Sequence, residues 1–441
     1  MSRPISPPRW PLMRLDAPVL LYGAGREARS TRTFLARRAP DLKVYVTADS
    51  GETDIDSAEF IASGDLEKAI DDRRFATIVK SPGVSRLKPL LARARTAGID
   101  ITSNLNLWGE TYRTGKTVIA VTGTKGKSTT ATLVHAMLVE AGIDAGLAGN
   151  VGVPPLDIAD RHPTIVFELS SYQTADIAFA PDIAALTTLF PEHLDWHGSL
   201  QAYYADKLRL LTLSPETRLA IGPQAATMPP VQALVCKPER LIPALGPALE
   251  DEIFDIGTGA RLKGQHNIDN AILAARIAIE CGATDEDILA AIAAFHPLPH
   301  RLEEHAVGTK TIVDDSISTT PEATKAALAA YFGHRIALIA GGYDRGQTYD
   351  DLAEHMARQD VRVVACLPDT GTRLANALRV RFPQASVIEA ADLEHAMRAL
   401  QTRQSQFDTL ILSPGAPSYN QFRNFEERGD AFVALARALF S

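Results

Sequence analysis

The 441 residues are 46% hydrophobic and 22% charged, the balance of a globular chain long enough for about three domains. Acidic residues outnumber basic ones, 53 to 45, and the net charge of −8 argues against nucleic acid as a partner. No apolar run nears the ~20 residues needed to cross a bilayer. The Pro-rich stretch Met1–Pro11 lacks the apolar centre of a signal peptide, and Cys236, Cys281 and Cys366 are scattered, so a cytoplasmic chain with reduced thiols is expected.

In chain order, an apolar run at Pro18–Tyr22 leads into Gly23-Ala24-Gly25 and a helical stretch from Arg26 to Arg38. Strands are expected at Lys43–Thr47 and Thr77–Lys80, the latter ending in Ser81-Pro82-Gly83. A second block opens with the β-branched run Lys116–Val121, followed by a Gly-rich turn and a helix over Ser128–Ala141 that Gly142 stops. Strands at Thr164–Leu169 and Ile183–Leu189 follow, with helices at Asn267–Cys281 and Asp285–Ala294. The stretch Pro215–Gly257 is Pro-rich and weakly patterned, and Phe295–His300 reads as a linker because two prolines interrupt it. The third block has strands at Thr311–Val313, Arg335–Ile339, Val361–Cys366 and Thr409–Leu412. Its helices are expected at Pro321–Phe332, Thr372–Phe382 and Asp392–Thr402. This alternation predicts an α/β protein with parallel sheets in three domains: 1–114, 115–296 and 297–441.

The strongest chemical signal is Gly123-Thr124-Lys125-Gly126-Lys127-Ser128-Thr129. A strand delivers the chain into a turn whose backbone N–H groups converge on phosphate, Lys127 adds charge, and the Ser128 or Thr129 hydroxyl reaches Mg²⁺. The usual first glycine of such a loop is replaced by Val121. Glu168, at the end of an apolar strand in the same sheet, is placed to bind metal; the plainer reading is a solvated loop acid. Glu192, His193, Asp195 and His197 could make a zinc site by composition, but no further Cys or His has ligand spacing, and His193 is preferred as a Mg²⁺ or phosphate neighbour. By spacing alone Lys207 is a surface lysine with a buried stem. Asn267 and Asn270, at i and i+3, share a helix face that could read a base or phosphate, unless Asn267 merely caps the helix. Gly23-Ala24-Gly25-Arg26-Glu27-Ala28 is a partial dinucleotide turn with no acid ending the next strand, which lowers a nicotinamide reading. Asp314-Asp315-Ser316, Gly341–Arg345 and Ser413–Ser418 each follow a strand, and together they mark a ligand edge.

Taken in order, these motifs resemble the Mur ligases, most closely their glutamate-adding members, from about Leu20 to the C-terminus. The most specific segments are Gly123–Thr129, Gly149–Gly152, Glu168–Gln173, His193 with Lys207, His266–Asn270, Pro299–Arg301, Asp315-Ser316 and Leu412–Gly429. The resemblance implies a Rossmann-like UDP-binding domain, a central ATPase domain and a C-terminal Rossmann-like domain that closes over the site. It implies transfer of glutamate to UDP-N-acetylmuramoyl-L-alanine through an acyl phosphate, with ATP and two Mg²⁺ ions, in a monomer without membrane insertion. Lys127, Glu168, His193 and Lys207 would be catalytic. Metal would fall to Ser128, Glu168, His193 and a carbamylated Lys207, while Asn267, Asn270, Arg301 and Asp315 join the phosphate loop on ATP. Arg26, Glu27, Ser81, Asn150 and Ser171 would contact the UDP substrate, and Thr319, Arg345, Ser418 and Phe425 the incoming amino acid.

Departures cluster in that last group. Glutamate-adding enzymes with D-glutamate typically have lysine where this chain has Ile317, and Cys-Ala where it has Ala416-Pro417. Arg345 stands for another lysine, and Glu192 for an aspartate. Asp315-Ser316-Ile317-Ser318-Thr319-Thr320-Pro321 resembles a related group that adds L-glutamate, so L-glutamate is favoured and D-glutamate is the alternative. The rivals are a folylpolyglutamate synthase-like ligase, which generally lacks the first block, and a non-catalytic UDP-sugar-binding protein.

Overall fold

The computed structural model describes residues 17–48, 55–151, 153–234, 237–259, 262, 264–295, 299–344 and 346–441. Residues 296–298 of the expected linker Phe295–His300, together with Cys236, Gly152 and Arg345, lie outside them. The chain forms two compact units, Met1–Phe295 and His296–Ser441. Among the described residues no helix is long and apolar enough to cross a membrane.

The first unit carries two parallel sheets. One comprises β1 (Val19–Tyr22), β2 (Val44–Thr47), β3 (Glu59–Phe60), β4 (Thr77–Lys80) and β5 (Asp100–Thr102), in the order β3-β2-β1-β4-β5. Its order reverses between β1 and β4, the point at which such sheets open a ligand crevice. The second comprises β6 (Thr117–Thr122), β7 (Ala145–Gly149), β8 (Thr164–Glu168), β9 (Ile183–Leu186) and β10 (Arg218–Ile221), ordered β10-β9-β6-β8-β7. Every residue of β8 and β9 is buried, and Ile165-Val166-Phe167 and Ile183–Leu186 are unbroken apolar runs rather than alternating ones, as a sheet covered on both faces requires.

Helix Lys127–Glu140 buries Ala131, Leu133, Val134, Met137 and Leu138 along one stripe. They pack against Leu273, Ala274 and Ile277 of helix Gln265–Glu280. Each fully buried aliphatic side chain contributes about 1.5–3 kcal/mol, which anchors the phosphate turn at that helix's start. Within the weakly patterned stretch the described residues form β10 and most of helix Pro247–Gly259, and the short strand and the prolines conceal any period.

The second unit is one sheet of β11 (Glu303–Val307), β12 (Lys310–Asp314), β13 (Ile336–Gly341), β14 (Val361–Leu367), β15 (Ser386–Glu389) and β16 (Thr409–Leu412), ordered β11-β12-β16-β13-β14-β15. Strands β11 and β12 pair antiparallel and the rest are parallel. Helix Phe425–Phe440, which ends the chain, buries Phe432, Ala436 and Phe440 in the core beneath this sheet.

Candidate active site

Adjacent strands deliver the first unit's candidate residues to one sheet end. Val121 pairs with Glu168, Glu168 with Gly149, and Thr122 with Leu186. The turn after β6, Glu168, Asn150 and Thr187-Thr188 therefore meet along that edge. The helix starts at Lys127, one residue before expectation, and Gly126 caps it at φ +87. A Cβ at Gly126 would stand 2.4 Å from Asn270 Oδ1, so only glycine lets Asn270 lie against the turn. The Lys127 ammonium donates to the Thr124 carbonyl at 2.8 Å.

Glu168 is 1% exposed. Asn150 Nδ2 donates to its Oε1 at 2.8 Å, and its Oε2 is buried without a hydrogen-bond partner. A buried carboxylate oxygen left free in this way fits a cation ligand. His193, at φ +55, packs its ring 5.0 Å from Tyr172, and burial holds its imidazole below the usual pKa, in the neutral form that binds metal.

Lys207 is no surface lysine. Helix Leu200–Thr212, capped by the Ser199 hydroxyl, buries Tyr203, Asp206, Lys207, Leu210 and Leu211 on one face. Its ammonium nitrogen lies 2.7 Å from the Gly123 carbonyl, and burial, then the charge of Lys127, drive its pKa well below the ordinary lysine value.

Arg26, Glu27, Ser81 and Asn150 line one cleft, together with Gly83, Tyr172 and Gln173. Ser81 reaches it because Gly23 has no side chain: a Cβ there would meet Ser81 Oγ at 2.4 Å. Gln173 Nε2 donates to Glu27 Oε1 at 2.8 Å while Oε2 is buried without a partner, and burial raises this carboxyl to about 7. Ser171 lies outside that lining, 3% exposed, with its hydroxyl 3.0 Å from His197 Nε2. A narrower cleft beside the phosphate turn is lined by Lys125, Gly126, Thr187, Thr188, Gln224, His266 and Asn270, among others. Asn267 is half-buried and outside this lining. It does not cap its helix; Gly264 occupies that position.

In the second unit Asp315 accepts from Ser413 Oγ at 2.7 Å, and burial raises its carboxyl to about 6. The Nε of Arg301 is buried without a partner. Thr319 is half-buried, Ser418 is buried, and Phe425 opens the last helix with its ring centroid 6.0 Å from that of His300. His300 Nδ1 and Asp314 Oδ2 are 2.7 Å apart, and with Glu303 they form a group whose ligand atoms lie within 4.8 Å of one another.

Two family profiles match, the Mur ligase middle domain over residues 121–228 and the Mur ligase glutamate ligase domain over 300–416. A UDP-N-acetylmuramoyl-L-alanine–L-glutamate ligase of a Micromonospora strain is 36% identical, over 95% of this chain and 96% of its own length. This chain belongs to the Mur ligase family. A second ligase of the same description, from Xanthomonas euvesicatoria, is 36% identical over 95% of this chain and 94% of its own. Among solved structures, the UDP-N-acetylmuramate–alanine ligase of Thermotoga maritima aligns with a TM-score of 0.59 at 18% identity, covering 96% of this chain and 99% of that one. The folylpolyglutamate synthase of Mycobacterium tuberculosis reaches 0.55 at 17% identity, covering 75% of this chain and 93% of that one.

As a Mur ligase the chain is an ATP-dependent acid–amino-acid ligase. Sequence reasoning missed Tyr203, whose hydroxyl is 2.8 Å from Thr124 Oγ1 and thus braces the phosphate turn of this Mur ligase. Its signal was available, since Tyr203 precedes Lys207 by one helical turn. It also missed Arg428, 1% exposed, which donates to the Ser316 carbonyl at 2.8 Å and the Ala416 carbonyl at 3.2 Å and so ties together three segments.

Proposed function

We propose that this Mur ligase joins L-glutamate to UDP-N-acetylmuramoyl-L-alanine, splitting ATP to ADP and phosphate. The observation that carries the reading is the position of Asn150. It lines the cleft of Arg26, Glu27 and Ser81, and its amide holds Glu168 Oε1 at the phosphate-turn edge. A sugar nucleotide seated in the cleft thereby extends its peptide carboxylate toward the γ-phosphate. The relatives of this chain named above are L-glutamate ligases, which supports that enantiomer over D-glutamate.

In this reading the domains are 1–114, 115–296 and 297–441, and the enzyme is a cytoplasmic monomer. The turn Gly123–Thr129 cradles the ATP phosphates with its N–H groups, and Lys127 adds a positive charge where the substrate carboxylate and phosphate, both anions, must meet. Attack of the carboxylate on the γ-phosphate gives an acyl phosphate and ADP. The glutamate amine then attacks the carbonyl, and phosphate leaves. Mg²⁺, two ions in this proposal, would be held by Ser128, Glu168, His193 and a carbamylated Lys207, and supplies charge neutralisation between the two anions. Carbamylation needs a neutral amine to attack CO₂ and release a proton, and burial provides one at Lys207. Asn267, Asn270, Arg301 and Asp315 keep nucleotide-contacting roles, and Thr319, Arg345, Ser418 and Phe425 amino-acid-contacting ones.

Phosphate release measured with each glutamate enantiomer tests the proposal. Turnover with L-glutamate is expected; turnover confined to D-glutamate reverses the stereochemical assignment. Lys127→Ala is expected to lose about 10²–10³-fold in turnover while still binding the UDP substrate, and unchanged turnover removes the phosphate turn from the mechanism.

A further inference from the structure

Helix Arg26–Arg38 opens on the cleft proposed for the sugar nucleotide, and its N-cap, Gly25, offers no side chain to the first N–H groups. A Cβ built on Gly25 or Gly83 would meet nothing within 4 Å, so the cleft is open at both. The aligned peptide dipoles of this 13-residue helix favour an anion at that end.

The same opening carries an acid. Glu27, in the first turn of the helix, is half-buried and lines the cleft together with Arg26, Ser170 and Gln173. A carboxylate there would repel the diphosphate that the helix end attracts. The hydrogen bonds around it show how the conflict is relieved. Gln173 Oε1 accepts from the Ser170 N–H at 3.0 Å, which fixes the orientation of its amide and turns Nε2 toward Glu27. That Nε2 donates to Glu27 Oε1 at 2.8 Å, so Oε1 is an acceptor. Glu27 Oε2 is buried with no hydrogen-bond partner. A proton on this carboxyl therefore sits on Oε2, which becomes a donor.

Burial, outweighing the Gln173 hydrogen bond, raises the carboxyl to about 7. Two charged groups act on it in opposite directions: Lys80 on β4 and Asp176 at the end of helix Ser171–Asp176, themselves paired at 2.5 Å. Asn104 of helix Asn104–Tyr112, which donates to the Glu27 carbonyl at 3.1 Å, carries no charge.

We propose that Glu27 binds the sugar nucleotide as an un-ionised carboxylic acid, its Oε2–H donating to a diphosphate oxygen, so that substrate binding is coupled to a proton. The inference rests on the reading that this cleft holds the UDP substrate. A bound diphosphate disfavours the carboxylate still further. Affinity is therefore complete while Glu27 is protonated and declines as pH rises through 7, where binding must draw a proton from the buffer.

Calorimetric titration of the full-length enzyme with UDP-N-acetylmuramoyl-L-alanine tests this, since the phosphodiester and carboxylate charges of that ligand are constant near neutrality. Between pH 6 and 8 its Kd should rise about tenfold. At pH 8, comparison of buffers with different ionisation enthalpies should show uptake of most of one proton. In Glu27→Gln, Gln173 holds the side-chain oxygen and the amide N–H takes the place of the O–H, so the Kd should be level across this range. Arg26→Glu reverses a charge at the exposed edge of the same cleft and should weaken binding about tenfold or more at either pH. A level Kd in the unmodified enzyme, a measurement needing no variant, overturns the proposal. So does a Kd that falls as pH rises, which would make Glu27 an anionic acceptor, or an unaltered pH slope in Glu27→Gln. Unchanged binding in Arg26→Glu removes the cleft reading itself.

Discussion

The Lys207 ammonium nitrogen lies 2.7 Å from the carbonyl oxygen of Gly123, joining helix Leu200–Thr212 to the first residue of the phosphate turn. A lysine 2% exposed with one backbone acceptor is a costly arrangement for a charged group. Its environment favours the neutral amine, the form that the proposed carbamylation requires.

Replacing Lys207 by alanine should lower the rate of phosphate release by about 10²–10³-fold. A small carboxylate such as formate, diffusing into the vacated space, should restore part of the rate. Enzyme equilibrated with ¹³C-bicarbonate should show a carbamate carbon that the alanine variant lacks. Full activity in Lys207→Ala would remove this side chain from the chemistry.

Gly126→Ala sets a side chain at φ +87 and 2.4 Å from Asn270 Oδ1. Left-handed backbone in a non-glycine residue costs roughly 1–2 kcal/mol before the clash is counted. ADP affinity, read by calorimetry, should fall by about tenfold or more, while binding of the UDP substrate at its separate cleft is retained. Unaltered ADP binding would show that the turn does not hold the phosphates.

Glu27 carries a pH signature. Burial disfavours the anion and pushes its carboxyl up from an ordinary 4.5 to about 7 in the folded protein. A raised pKa in an acid means that the folded state holds the proton more tightly. The contribution to stability is therefore complete below pH 4.5 and lost as pH rises to 7. Glu27→Gln keeps an oxygen for Gln173 and cannot ionise. Its melting temperature relative to the parent should climb between pH 4.5 and 7.5, by an amount equivalent to about 1–3 kcal/mol. A constant offset across that range would place the Glu27 carboxyl in contact with water.

Arg428 should matter more for stability than its place in a terminal helix suggests. Arg428→Met strands the Ser316 and Ala416 carbonyls, each a buried group satisfied by the guanidinium, and removes the donor to Ser316 Oγ, whose own bond to the Phe425 carbonyl remains. Each unsatisfied group costs about 1–3 kcal/mol. Urea unfolding should show a loss of more than about 3 kcal/mol, and a loss under about 1 kcal/mol would mean that water replaces the guanidinium.

Much of the architecture was legible in the residues themselves. The runs Val19–Tyr22, Thr117–Thr122 and Thr164–Glu168 are strands, because a sheet covered on both faces demands unbroken apolar segments. Strands β3, β5, β7 and β15 were not read, since Glu59–Phe60, Asp100–Thr102 and Ser386–Glu389 are two to four residues that each include an acid, and Ala145–Gly149 is built mainly of alanine and glycine. Helix Phe425–Phe440 went unread because its sequence was taken up by the motif at its start.

Residue type and spacing within one segment were enough to read the turn Gly123–Thr129, the strand-end acid Glu168 and the family. Tertiary structure alone decided what depends on distant segments meeting. It turned Lys207 from a surface lysine into a buried amine by laying it on the Gly123 carbonyl, 84 positions away in the chain. It brought Ser171, His197 and Asp206 into one line, and it set Arg26, Glu27, Ser81 and Asn150 around one cleft. Burial and hydrogen-bond partnership across such separations are properties of the packed molecule, and they set the charge and polarity of the groups that do the chemistry.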